Sequence, residues 1–274
     1  MIADHLSRNG IAVLRYDDRG VGGSGGNVVS ATSADFAGDA LAAYRYLQSR
    51  KDINKQKIGL IGHSEGGLVA PIAAMKDPGI AFIISMAGPG IKGYDILVDQ
   101  TIDIEMREGI SRSMAEGHAK DITDVLDIVA QEPDSAIAAQ KIIKHISESK
   151  ADMALLMDDF ESYKLMNNTF FNNPWMRFFA FFDPAQAWSS VKCPVLAING
   201  SLDLQVNAEK NLNAIARSLE SGGNKDYSTM IFQGLNHLFQ PTETGRISEY
   251  QTIETTIDPD VLQKMSTWIN ERMN

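Results

Sequence analysis

Short β-rich apolar runs alternate with helical patterns in two blocks of this chain, and that alternation is the signature of a parallel sheet flanked by helices. The first block holds IAVLRY (11–16), a helical stretch from Ala34 to Arg50, KIGLIGH (57–63), a helix from Glu65 to Met75, and AFIISMA (81–87). A short helix, Ile2 to Asn9, ends at Gly10 and precedes them. The second block holds PVLAING (194–200), a helix over Ala208 to Leu219, YSTMIFQ (227–233) and a last helix from Pro259 to Met273. Between the blocks, Ile91 to Trp188 carries no convincing strand, and its apolar positions recur at helical spacing. The expected organisation is a core of residues 1–90 and 189–274 interrupted by a helical cap over 91–188. With 44% apolar side chains in 274 residues, the chain can fill one substantial core and an insertion.

The sharpest local signal is Gly62-His63-Ser64-Glu65-Gly66-Gly67, which follows the strand KIGLI and precedes the helical run LVAPIAAM. A G-x-S-x-G turn between strand and helix holds the serine in a tight, strained geometry, and small neighbours let the backbone pass that closely. The hydroxyl then stands at the C-terminal edge of the sheet, where ligands bind in parallel α/β folds. The helix N-terminus beneath it offers N–H groups to developing negative charge, so the N–H of Glu65 is an expected oxyanion-hole donor.

A serine hydroxyl needs a base within hydrogen-bond reach. Of the five histidines, His5 falls in the opening helix, His63 within the turn itself, and His118 and His145 in the inserted segment. His237, in GLNHLF after the last strand, falls in a loop at the same sheet edge as Ser64. The third member should be a carboxylate that fixes the imidazole tautomer. Asp203, in the turn NGSLD after PVLAI, meets that condition, and the order Ser64, Asp203, His237 is the one expected of this architecture. The rival, Asp226, precedes the last strand and belongs at the opposite edge.

On these motifs the chain resembles the α/β-hydrolase superfamily, in particular its bacterial esterase and serine-aminopeptidase-like branch with a helical cap. The resemblance rests on RYDDRGVGGSGG (15–26), GHSEGG (62–67), NGSLDLQV (200–206 with its preceding Asn199) and GLNHLF (234–239). It implies three strands ahead of the opening helix, and a turn after the third that supplies a second oxyanion N–H; no such strands precede Ile2 in this sequence. In the family's usual order that third strand lies beside KIGLIGH. The sheet is therefore expected to leave a gap there, to close up or to fill the slot with another segment, unless the sequence is a fragment of a longer chain. Loss of one oxyanion donor costs on the order of 10²–10³ in turnover.

The glycines of 15–26 also suit a phosphate-cradling loop, but neither G-x-G-x-x-G opening a helix nor a glycine-lysine-serine ending is present. Local pairing by Asp17, Asp18 and Arg19 is the expected role. Six phenylalanines and a tryptophan in 170–184 could line an acyl pocket or form the core of the inserted helices. Methionines 153, 157, 166 and 176 are open to the same two readings. Acids at Asp103, Glu105, Asp158, Asp159 and Glu161 leave room for recognition of a substrate's amino group.

These features predict a serine hydrolase acting on a small-molecule ester, with an aminopeptidase, an acyl-thioester hydrolase and a non-catalytic or truncated hydrolase-fold binding protein as alternatives. No metal or organic cofactor is implied. A net charge of −10 argues against nucleic-acid partners. No apolar run approaches the roughly 20 residues of a membrane-spanning helix, so no integral membrane segment is expected. One cysteine, Cys193, excludes an intrachain disulfide and leaves the compartment undetermined, cytoplasmic or exported. A sheet edge left exposed would favour a homodimer.

Overall fold

A computed structural model describes residues 1–150 and 159–273. Met153, Met157 and Asp158, singled out above, lie outside the described residues. Four parallel strands, β1 (Leu60–His63), β2 (Ile83–Met86), β3 (Val195–Gly200) and β4 (Tyr227–Phe232), stand side by side in chain order. The sheet is the parallel, helix-flanked sheet of an α/β-hydrolase fold.

Alternation along the strands divides the core into two layers, because successive strand residues face opposite sides. Ile83, Val195 and Ala197 point to one face and pack with α2 (Ser33–Ser49), α3 (Glu65–Lys76) and α10 (Ala208–Ser221). Ile84, Met86, Leu196 and Ile198 point to the other and meet α1 (Ile2–Arg8) and α11 (Pro259–Met273). Both faces of β2 and β3 are fully covered, as the unbroken apolar runs AFIISMA and PVLAI require.

Among the described residues, six helices lie between β2 and β3: α4 (Gly93–Arg107), α5 (Arg112–Gln131), α6 (Ser135–Ser149), α7 (Phe160–Phe171), α8 (Pro174–Phe181) and α9 (Pro184–Trp188). Five of these six have local, sequence-encoded caps: Ser111, Asp134, Asp159, Asn173 and Asp183 each accept a backbone N–H of the first turn. They share a core of their own, with Leu126, Ile142, Phe171 and Met176 at its centre. Phe178 and Phe182 pack instead on the main core, and Phe179 touches both. Much of the aromatic segment therefore serves packing. Among the described residues, no helix is long and apolar enough to cross a membrane.

One expected strand is not formed. Residues 11–18 are largely exposed and lie in no ladder. A cleft of about 830 Å³ separates Ile11–Tyr16 from Lys57–His63, with Ala40, Leu47 and Val69 on one flank and Leu6, Phe82 and Ile269 on the other. A β-prone run becomes a strand only when a neighbour supplies its hydrogen bonds, and across this cleft neither bank reaches the other. The gap expected beside KIGLIGH is thus left open.

Beyond the unformed strand, the turn 17–26 is held by local bonds and by a pair that reaches outside it to α2. The Asp17 carboxylate accepts the Gly23 N–H at 2.9 Å, and Arg19 makes a two-pronged pair with Asp39 of α2, both distances 2.7 Å.

Candidate active site

Ser64 sits between β1 and α3 with φ 54° and ψ −121°, a conformation that L-residues adopt only under strain. Its N–H continues the ladder to the Met86 carbonyl at 2.8 Å, and its own carbonyl accepts the Gly67 N–H at 2.8 Å. The strand bonds and the first helical turn grip the residue from both sides. The flanking glycines are dictated by space: a Cβ on Gly62 would lie 2.0 Å from the Gly66 carbonyl oxygen, and one on Gly67 2.6 Å from the Gly88 Cα. Ser64 thus stands at the C-terminal sheet edge, at the N-terminus of α3.

Asp203 follows β3 in a tight turn and is buried. Its Oδ1 accepts the N–H groups of Gln205 and Val206 at 2.8 and 2.9 Å, which leaves Oδ2 aimed at Nδ1 of His237, also buried, at 2.8 Å. Nδ1 donates, so Nε2 is the nitrogen left free to take a proton. The histidine loop owes its shape to Asn236, whose Oδ1 accepts the N–H groups of Leu238 and Gln240, both at 3.0 Å. It is tied to the acid turn by Leu202 N–H to Leu235 carbonyl, 2.9 Å, and by Gly234 N–H to Ser201 Oγ, 2.9 Å. Gly200 makes this approach possible, because a Cβ there would lie 2.2 Å from the Leu235 carbonyl oxygen.

The structure therefore brings Asp203 and His237 into contact at the edge where Ser64 stands. Among the described residues, the Ser64 hydroxyl makes no side-chain hydrogen bond, to His237 or to any other group. Catalytic hydrogen bonds of this kind commonly tighten only with substrate present. Asp226, the rival acid, lies at the start of β4 and pairs with Arg272 at 3.1 Å.

Two side-chain contributions, from His63 and Glu65, escape a reading of the sequence. His63 donates from Nε2 to the His237 carbonyl at 2.8 Å, with the ring centroids 4.8 Å apart. Burial, and then the neighbouring His237, hold its pKa below the ordinary histidine value. Glu65 accepts two bonds on Oε1, from Ser33 Oγ at 2.6 Å and from the Trp175 indole at 2.7 Å. Burial pushes its carboxyl above the usual glutamate value, the two hydrogen bonds oppose the shift, and the charge of Asp18 adds to it. No spacing rule links positions 65 and 175, so only the fold reveals the pair.

Of the acids noted in the inserted segment, Glu105 pairs with His118 at 2.7 Å, Glu161 with Lys164 at 2.6 Å, and Asp159 caps α7. Burial raises the Asp103 carboxyl above its usual range, partly offset by a hydrogen bond from Asn207.

Comparison with known proteins agrees with this architecture. Esterase EstD of Thermotoga maritima is 23% identical over 270 residues, covering 98% of this chain and 55% of the relative, so the chain spans about half the length of that protein. The solved Pyrococcus furiosus esterase Pf2001 superposes with a TM-score of 0.57 at 16% identity, over 99% of this chain and 74% of the other, and in a second crystal form with 0.51. The model of the serine aminopeptidase S33 family matches residues 1–243, and the chain belongs to that family.

Proposed function

We propose that the chain is a serine hydrolase that cleaves carboxylic esters through an acyl-enzyme. The observation that carries this reading is the 2.8 Å bond from His237 Nδ1 to a buried Asp203, at the sheet edge where the strained Ser64 meets a helix N-terminus. In the first step Nε2 of His237 takes the hydroxyl proton as Ser64 Oγ attacks the ester carbonyl. The carbonyl oxygen becomes an oxyanion, which the Glu65 N–H stabilises. Collapse of the tetrahedral intermediate breaks the ester C–O bond, and the imidazolium returns its proton to the departing alkoxide. Water then attacks the acyl-serine with His237 again as base, releasing the carboxylic acid and restoring Ser64. Asp203 keeps the imidazole in the tautomer that accepts at Nε2.

The esterase names of the two relatives support an ester over other acyl substrates. The family's description supports an aminopeptidase as the second reading, since the same three residues would serve an amide bond.

A fluorophosphonate probe and short-chain p-nitrophenyl esters, applied to the wild type and to Ser64→Ala, test the reading. Labelling and turnover that vanish in the variant are expected. A folded wild type that neither labels nor turns over ester would overturn it, and a panel of esters, aminoacyl amides and acyl thioesters separates the substrate classes.

A further inference from the structure

The Glu65 side chain is an unusual neighbour for a nucleophile. It leaves the residue directly after Ser64, at the first position of α3, and runs away from the sheet to a junction of three elements. Ser33, completely buried at the start of α2, donates its hydroxyl to Oε1 at 2.6 Å. Trp175, one residue into α8, donates its indole N–H to the same oxygen at 2.7 Å. The indole also stacks on Phe179, with centroids 5.3 Å apart and planes at 9°, and Phe179 packs on the main core. A single carboxylate oxygen thus joins the nucleophile turn, α2 and the inserted helices.

From this junction we infer that Glu65 is a positioning residue: its carboxylate seats α8 over the nucleophile turn and, through that seat, holds its own backbone N–H where the oxyanion forms. The inference rests on the serine-hydrolase reading for its catalytic half. The seat itself is a structural claim and can be measured without turnover.

The chemistry favours a seat over a substrate-binding charge. Both donors converge on Oε1, a shared acceptor that a glutamine amide oxygen can reproduce, so the geometry and not the negative charge is the essential part. Losing the acceptor leaves a half-buried indole N–H and a buried hydroxyl without a partner. Such losses fall first on the parts the bonds join. Other polar links tie the inserted segment to the core elsewhere, Lys210 to Asp99 at 2.6 Å and Arg246 to the Arg107 carbonyl at 2.7 Å among them, but these hold α4, whereas the Glu65 bond holds α8.

The test compares Glu65→Ala, Glu65→Gln, Trp175→Phe and the double variant Glu65→Ala/Trp175→Phe with the wild type. Tryptophan emission reads the seat directly, because Trp188 and Trp268 are fully buried and only Trp175 stands to gain solvent. Glu65→Ala is expected to red-shift the emission, to speed proteolytic cleavage within 91–188 by about threefold or more, and to lower kcat/KM for a p-nitrophenyl ester about tenfold. Glu65→Gln should restore most of all three. Trp175→Phe approaches the same contact from the other side, keeps the stack on Phe179, and guards against a Glu65→Ala chain that fails to fold. It should also quicken cleavage, and the double variant should lose no more kcat/KM than Glu65→Ala alone, as expected of partners in one bond.

Wild-type emission and proteolysis in Glu65→Ala would overturn the inference, as would a glutamine variant as impaired as the alanine variant with unshifted emission. Independent, additive losses in the double variant would overturn it too. Should the wild type show no labelling and no ester turnover, the hydrolase reading falls, while emission and proteolysis still decide the seat.

Discussion

His237 donates from Nδ1 to Oδ2 of Asp203 at 2.8 Å, and the other oxygen of the same carboxylate is held by two backbone N–H groups, of Gln205 and Val206. The acid therefore cannot rotate without giving up bonds inside a buried turn, and the imidazole tautomer is fixed by an oxygen that is itself fixed. Replacing Asp203 by Asn keeps the size and one acceptor, but allows an amide N–H to face Nδ1 and drive its proton to Nε2. The Asp203→Asn variant is expected to lose kcat by about 10³–10⁴ with a largely unchanged melting temperature. Asp226→Asn, at the other end of β4 and paired with Arg272, should leave kcat within twofold of wild type. Steady-state ester hydrolysis by both variants makes the check, and an equal loss in the two would remove Asp203 from its assigned role.

Strain at Ser64 predicts a trade between activity and stability. The backbone at φ 54° and ψ −121° is costly for any residue with a Cβ, and glycine adopts it freely. Ser64→Gly is expected to gain about 1 kcal/mol after the entropy of a more flexible unfolded chain is deducted, or about 2–4 °C in melting temperature. Ser64→Ala keeps the Cβ and should melt close to wild type. Thermal unfolding of the two inactive variants side by side separates strain from loss of the hydroxyl; equal melting temperatures would mean the turn stores no strain.

The placement of Ser64, Asp203 and His237, the triad proposed above, at one edge of the sheet is legible in the sequence because each follows a strand that the apolar pattern marks, and in a parallel sheet every strand end meets the same edge. The observed β2, β3 and β4 fall within the predicted AFIISMA, PVLAING and YSTMIFQ. IAVLRY misled for the same physical reason: its residues suit a strand, yet propensity is local and pairing is not. The His63 bond to the His237 carbonyl and the Glu65 bond to Trp175 join positions far apart in sequence and follow no period, so no spacing could have announced them.

His63 gives a pH prediction whose sign follows from its lowered pKa. In the unfolded chain a histidine takes a proton near pH 6.5, whereas in the fold it does so only at lower pH. Between those values the unfolded state binds more protons, so stability rises with pH there. The contribution is fully present above about pH 6.5 and is lost as pH falls through the depressed folded value. Glu65 has the opposite sign in a lower window: its raised pKa favours the fold below the glutamate value of 4.5 and the advantage fades as pH rises through the folded value. Melting temperatures followed from pH 7.5 downward should therefore drop less steeply in His63→Gln than in wild type just below pH 6.5. Parallel curves would show that His63 is not held neutral by its surroundings.

The open edge of β1 gives a prediction at single-residue resolution. Parallel strands bond alternate residues to opposite neighbours. Leu60 and Ser64 donate to the Phe82 and Met86 carbonyls of the β2 side, at 3.0 and 2.8 Å. The N–H groups of Ile61 and His63 must then face the other way, into the cleft bounded by Ile11–Tyr16. With no strand among the described residues bonded on that side, their exchange with solvent should be governed by local access and not by opening of the sheet. Amide exchange followed by NMR should therefore find Leu60 and Ser64 protected, and Ile61 and His63 exchanging faster by about 10² or more, since each 1.4 kcal/mol of opening energy is a factor of ten. A homodimer that pairs through this edge would instead protect all four amides, with Ile61 and His63 gaining protection as protein concentration rises. Uniform protection independent of concentration would mean that another segment of the chain bonds β1 in solution, and the cleft would then have to be closed.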